Sequence, residues 1–95
     1  MSQSTPWGRA DSQRQIAPGI TWYSTPSHGG FYLHRDRIAA MPAVYRDRPT
    51  FAGPGWYEED CDWCLVALSF PDLFPTDQEA AQLTYEWMTK RAATA

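Results

Sequence analysis

Long apolar runs are missing from this chain: none approaches the roughly 18 residues that a membrane-spanning helix requires. The first residues, Met1 to Thr5, lack the basic-then-apolar plan of an export signal. A cytoplasmic protein with no membrane partner is the expectation. Cysteine is scarce, and the two present, Cys61 and Cys64, stand too close in sequence to staple distant parts of a secreted fold. That agrees with a reducing compartment. A glycine-rich loop ending in Lys-Ser or Lys-Thr, which would cradle a phosphate, is also absent, because Gly29-Gly30 is too short to form one.

What is present suffices for one core. The chain has 95 residues, 43% of them hydrophobic, with five Trp, five Tyr and four Phe, enough large side chains to offset the ordering entropy of a single fold. A single domain over residues 1–95 is expected, with about 1–5 and 92–95 frayed because they are small or polar. Net charge is −3, unevenly spread. Residues 1–54 set six Arg against Asp11, Asp36 and Asp47, giving +3, and residues 55–95 set eight acids against Lys90 and Arg91, giving −6. Either the two halves attract each other across the folded surface, or the second presents an acidic face to a basic partner. The sign disfavours a simple DNA-binding surface.

Turn chemistry at Ala17-Pro18-Gly19 and Ser27-His28-Gly29-Gly30 brackets the β-branched and aromatic run Ile20 to Thr25, which predicts a strand. Phe31 to His34 predicts its hairpin partner, with the turn near Pro26 to Gly30. A weaker strand at Arg9 to Ile16 would complete a three-stranded meander. Asp36 to Met41 predicts one or two helical turns halted by Pro42, and residues 45–55 an irregular loop. From there a central buried helix is expected over residues 57–70, opened by Glu58, Glu59 and Asp60 at the positive end of the helix dipole. A strand over Cys64 to Phe70 is the alternative. Thr76-Asp77-Gln78-Glu79 has capping-box form, and the helix after it is expected to bury Leu83 and Trp87 and to expose Gln82, Glu86 and Lys90. The expected fold class is α+β: a small antiparallel sheet of about three strands in the N-terminal half, packed against two C-terminal helices.

Three arrangements invite a chemical reading. Cys61-Asp62-Trp63-Cys64 resembles a redox pair, but the surrounding Glu58, Glu59, Asp60 and Asp62 discourage thiolates, so two core or near-core cysteines are expected. The same cysteines with His28 and His34 add up to four zinc ligands, although the histidines precede the cysteines and belong to a turn and a strand end. Ser27 and His28 are adjacent, which does not make a catalytic triad. No cofactor, metal or catalytic residue is expected, and the protein is not expected to be an enzyme. The five tryptophans exceed what so small a core can enclose, so some rings should reach the surface as binding anchors. Trp56 and Tyr57, beside the carboxylates of Glu58, Glu59, Asp60 and Asp62 and behind a Pro/Gly loop, form the expected partner-binding site.

Three segments carry a resemblance: Thr5-Pro6-Trp7-Gly8-Arg9-Ala10-Asp11; Pro18-Gly19-Ile20 running to Thr25-Pro26-Ser27-His28-Gly29-Gly30; and Trp56-Tyr57-Glu58-Glu59-Asp60-Cys61. Over about residues 5–75 the chain resembles a family of small domains of unknown function encoded on plasmids, phages and integrative elements. Cys64 departs from that resemblance, in which a small residue such as Ala is expected. What the resemblance implies is an accessory protein of the anti-CRISPR or antirestriction kind, an inhibitor that occupies a surface of a host defence protein or ribonucleoprotein complex. No small-molecule substrate is expected on this reading. The alternatives are a metal-dependent or enzymatic module using His28, His34 and the cysteines, and a nucleic-acid-binding accessory using Arg35, Arg37, Arg46 and Arg48.

Overall fold

Tight turns at the expected places set the sheet. The computed structural model describes residues 4–94, and side chains as far as residue 90. A short hairpin comes first, formed by β1 (Ser4–Thr5) and β2 (Gly8–Arg9). β3 (Ser12–Ala17) turns through Pro18-Gly19 into β4 (Ile20–Ser24), and Gly19 takes φ +83°, a value that side-chain-bearing residues resist. The next turn is closed by Thr25, whose N–H donates to the His28 carbonyl at 2.8 Å. Its hydroxyl donates to the same carbonyl at 2.7 Å and accepts from the His28 N–H at 3.1 Å. β5 (Gly29–Leu33) follows, then α1 (Arg35–Ala40), which ends at Met41 before Pro42, and α2 (Ala43–Arg46).

Residues 47–55 are irregular, as the sequence predicts, but α2 occupies the first part of the expected loop. The chain then differs from expectation. Trp56–Glu58 is a strand, β6, not the first turn of a helix. Gly53 at φ +101° and Gly55 at φ +87° deliver Trp56 alongside β5, where Tyr57 points inward between outward-facing neighbours. A pairing edge thus outcompetes the weak helical signal of three acids. The central helix, α3 (Trp63–Ser69), is half the expected length, and Cys64, Leu65, Val66 and Ala67 along it are all buried. α4 (Gln78–Thr94) closes the fold. Its first intrahelical bond runs from the Ala81 N–H to the Asp77 carbonyl, so the helix begins one residue later than a cap at Thr76 requires.

The fold is α+β, with a four-stranded antiparallel sheet in the order β3-β4-β5-β6 in place of the three strands expected. Ile20, Phe31, Leu33 and Tyr57 on its inner face pack with Met41, Phe74 and α3 into the core. α4 lies mainly against α3. It presents Ala81 to the core, with Tyr85 and Met88 packed alongside, whereas Leu83 and Trp87 are 61% and 52% exposed. That overturns the expected core stripe; Gln82, Glu86 and Lys90 do face water. Ser4 and Thr5 pair with Arg9 and Gly8, and α4 runs to Thr94. Residues 1–3 and 95 lie outside the described residues.

Candidate functional site

Side chains alternate across a sheet, so the partners of the core residues line its other face. The registers place Gln15, Thr21, Tyr32 and Trp56 in one outward row, and Gln13, Tyr23, Gly30 and Glu58 in the next. An outward face of an antiparallel sheet is ordinarily polar. Here Tyr23, Tyr32 and Trp56 cluster among the polar residues: the Trp56 ring centre lies 4.8 Å from that of Tyr32 and 5.8 Å from that of Tyr23, each pair tilted.

A fourth ring comes from the N-terminal hairpin. Thr5 shapes its turn by donating from Oγ1 to the Gly8 carbonyl at 2.7 Å and accepting from the Trp7 N–H at 3.2 Å. Trp7 is thereby laid over Gly30 and edge-on to Trp56, 5.7 Å between ring centres. The space exists only because residue 30 has no side chain. A Cβ there would collide with the Trp7 ring, stand 2.5 Å from the Tyr57 carbonyl oxygen and 3.0 Å from the Glu58 Cα. Three separate sequence segments therefore meet at one place: the Trp7 turn, the Gly29-Gly30 pair and the Trp56 strand.

The structure divides the acidic cluster. Glu58 is 8% exposed and accepts from the Cys61 N–H at 2.6 Å. Asp62 is 4% exposed and accepts from the Phe51 N–H at 2.8 Å. Burial pushes the Asp62 carboxyl above its usual range, and Glu58 adds to the rise, while the Phe51 N–H and Arg48 oppose it. Both groups serve the fold. Tyr57, also expected at the binding site, is buried with its hydroxyl against the Met41 sulfur, and its phenol pKa is raised by burial and by Asp62. Only Trp56, Glu59 and Asp60 of the expected set reach the surface. Glu59 lies 3.9 Å from His28 Nδ1, so a carboxylate–imidazole rim borders the aromatic face.

The histidines and cysteines do not converge on one site. His34 caps α1, its Nδ1 accepting from the Asp36 N–H at 3.2 Å, and Cys64 is in the core with its sulfur 3.5 Å from that of Met88. Burial pushes the Cys64 thiol up to about 12, with Asp62 and Cys61 adding to the rise. Among the described residues no three of His, Cys, Asp and Glu converge as metal ligands. Three of the four arginines make contacts of their own. Arg37 donates to the Pro18 carbonyl at 2.8 Å and covers Phe70, Arg46 pairs with Asp47, and Arg48 lies over Tyr85.

Sequence reasoning counted Trp7 among the five tryptophans without placing it, and missed Tyr23 and Tyr32. The signal for the last two was strand alternation, since each neighbours an inward residue, Trp22 or Phe31. Nothing local could reveal that Trp7 folds back onto Gly30. A family model described as "Domain of unknown function (DUF7007)" matches residues 1–94. No curated protein and no solved structure is matched by the chain.

Proposed function

We propose that this chain, which belongs to the DUF7007 family of domains of unknown function, is a non-catalytic binding module that uses the outer face of its sheet to occupy the surface of a partner protein. One observation carries the reading: a face that need only be wet is instead tiled by Trp7, Tyr23, Tyr32 and Trp56. Aromatic rings offer large, rigid contact area and dominate binding energy where they occur at interfaces. Glu59 and Asp60 at the rim favour a partner with basic residues there. The resemblance to small domains of plasmids, phages and integrative elements supplies the class of partner, a host defence protein or ribonucleoprotein complex, which the module would inhibit by steric occupation.

The test is expression in a bacterial host carrying a CRISPR or restriction system, followed by challenge with a targeted phage. Restored plating is expected from the wild type and not from a folded Tyr32→Ser, Glu59→Lys, Asp60→Lys variant. Absence of protection in every system tried, together with salt-dependent binding of random oligonucleotides by the purified protein, would replace this reading with the nucleic-acid one.

A further inference from the structure

Ala81, Tyr85 and Met88 turn one side of α4 toward the core. At about 3.6 residues per turn, Glu79, Leu83, Trp87 and Lys90 then fall on the opposite side, along one ridge. All four are exposed, Leu83 and Trp87 by more than half. The ridge has a direction. An acid stands at its N-terminal end, two large apolar side chains in its middle and a base at its C-terminal end. The helix dipole favours an acid early and a base late, but it gives no reason for Leu83 and Trp87 between them. A single exposed apolar residue is ordinary; neighbouring ones framed by opposite charges form a patch that association can cover.

Such a ridge is complementary to its own reverse. When two copies of α4 lie antiparallel, Glu79 of one meets Lys90 of the other, and Leu83 of one meets Trp87 of the other, each pairing occurring twice. At a rise of about 1.5 Å per residue, the midpoint between Glu79 and Lys90 lies within about 1 Å of that between Leu83 and Trp87. One two-fold axis therefore serves both pairings. Beside the ridge, Ala80 and Thr84 are small, and the Thr84 hydroxyl donates to the Ala80 carbonyl at 2.9 Å. That flank leaves room for an indole ring, and its hydroxyl hydrogen is already spent. We propose that α4 is the contact of a homodimer, in which two copies pair antiparallel along Glu79, Leu83, Trp87 and Lys90. Two-fold contacts are self-complementary in this way. A ridge of four side chains with its flanks falls short of the roughly 20–30 residues a side of a standard interface, so the dimer is weak, with a Kd on the order of 0.1 mM. It uses none of Trp7, Tyr23, Tyr32 and Trp56, and so stands apart from the function proposed above.

Sedimentation equilibrium of the whole chain from about 10 µM to about 1 mM tests the proposal across the expected Kd, with nitrogen-15 NMR over the same range. Monomer at the low end and dimer at the high end are expected, with concentration-dependent shifts at Leu83, Lys90 and the Trp87 Nε1–H. Leu83→Gln keeps the fold, because Leu83 lies outside the core, and should weaken association about tenfold or more. Glu79→Lys and Lys90→Glu should each weaken it about fivefold at low salt, since either sets like charges at both ends of the contact. The two reversals together should restore it. In a parallel pair, where like already meets like, neither single reversal would have an effect. Tyr32→Ser should leave association unchanged. Monomer throughout, association by Leu83→Gln equal to that of the wild type, no loss with the single reversals, no rescue by the pair, or loss with Tyr32→Ser would each overturn the proposal.

Discussion

Asp62 shows how one buried carboxylate serves structure and carries a pH signature. Its Oδ2 holds the Phe51 N–H and so ties the loop after α2 to the turn before α3. Removing that acceptor by Asp62→Ala should destabilise the fold by about 1–3 kcal/mol, as expected for loss of a hydrogen bond to a carboxylate. Asp62→Asn keeps an acceptor and removes the charge. Because the native carboxyl lies above the ordinary value of 3.8, the folded state holds this proton more tightly than the unfolded chain does. Its contribution to stability is therefore full below 3.8 and is lost as pH rises through the raised native pKa. Denaturant melts at a series of pH values should show this fall in the wild type and a weaker one in Asp62→Asn; identical profiles would show that the ionisation of Asp62 is not coupled to folding. Cys64 offers a second check at this scale. A thiol near 12 is thiolate in only about one molecule in 10⁴ at pH 8. Alkylation of Cys64 by iodoacetamide, followed by mass spectrometry, should await unfolding, and rapid native labelling would contradict its burial.

At the scale of elements, the close approach of the Trp7 hairpin to β5 depends on Gly30. Gly30→Ala forces a methyl group against the Trp7 ring and against the backbone of β6, so a loss of about 1–3 kcal/mol or more is expected. Trp7→Ala in the same chain should not rescue it, because the Tyr57 carbonyl and Glu58 Cα remain in the way. Full rescue in a thermal melt would mean that Trp7 alone sets the requirement. The meander of β3, β4 and β5, α1 and its stop at Pro42 were legible in the sequence, since each is bracketed by turn residues that act locally. β6 was not, because three residues carry almost no periodicity and their pairing with β5 is decided by chain path. The stripe of α4 was misread for a related reason. Gln78 donates from Nε2 to the carbonyls of Ala67 and Phe74, both at 2.9 Å, and so satisfies an end of α3 that would otherwise lack a partner. That fixes the rotation of α4, and small Ala81 then lets the helices approach. The hydrophobic bulk of Leu83 lost to a hydrogen-bond requirement on another element. Leu83→Gln should thus change stability by no more than about 0.5 kcal/mol, whereas Ala81→Leu should cost about 1–3 kcal/mol. The reverse order in thermal melts would restore Leu83 to the core.

At the scale of the whole molecule, the question is whether one face is enough. A standard interface takes about 800 Å² from each partner, roughly an eighth of the 6001 Å² that this chain exposes, so a stable partner has to cover the sheet face together with its rim. Such a face divides the work. The aromatic rings, once desolvated, hold the complex together, while exposed charges at the edge mostly steer the encounter. The acids able to do that are fewer than the sequence suggests, because Glu58 and Asp62 are committed to backbone N–H groups and reversing either would injure the fold. Glu59 and Asp60 remain, both exposed. Glu59→Lys with Asp60→Lys should therefore weaken partner binding at least tenfold, about 1.4 kcal/mol, chiefly through slower association. The deficit should be larger at low salt than at high salt, where charges more than about 8–10 Å apart are screened. Tyr32→Ser should instead speed dissociation, with little dependence on salt. Glu86→Lys, exposed on α4, should change neither rate. Surface plasmon resonance on a partner captured with the wild type, using variants that melt like it, separates these effects. Unchanged association by the double reversal would take the acidic rim out of the interface and turn attention to the arginine-bearing segment 35–48.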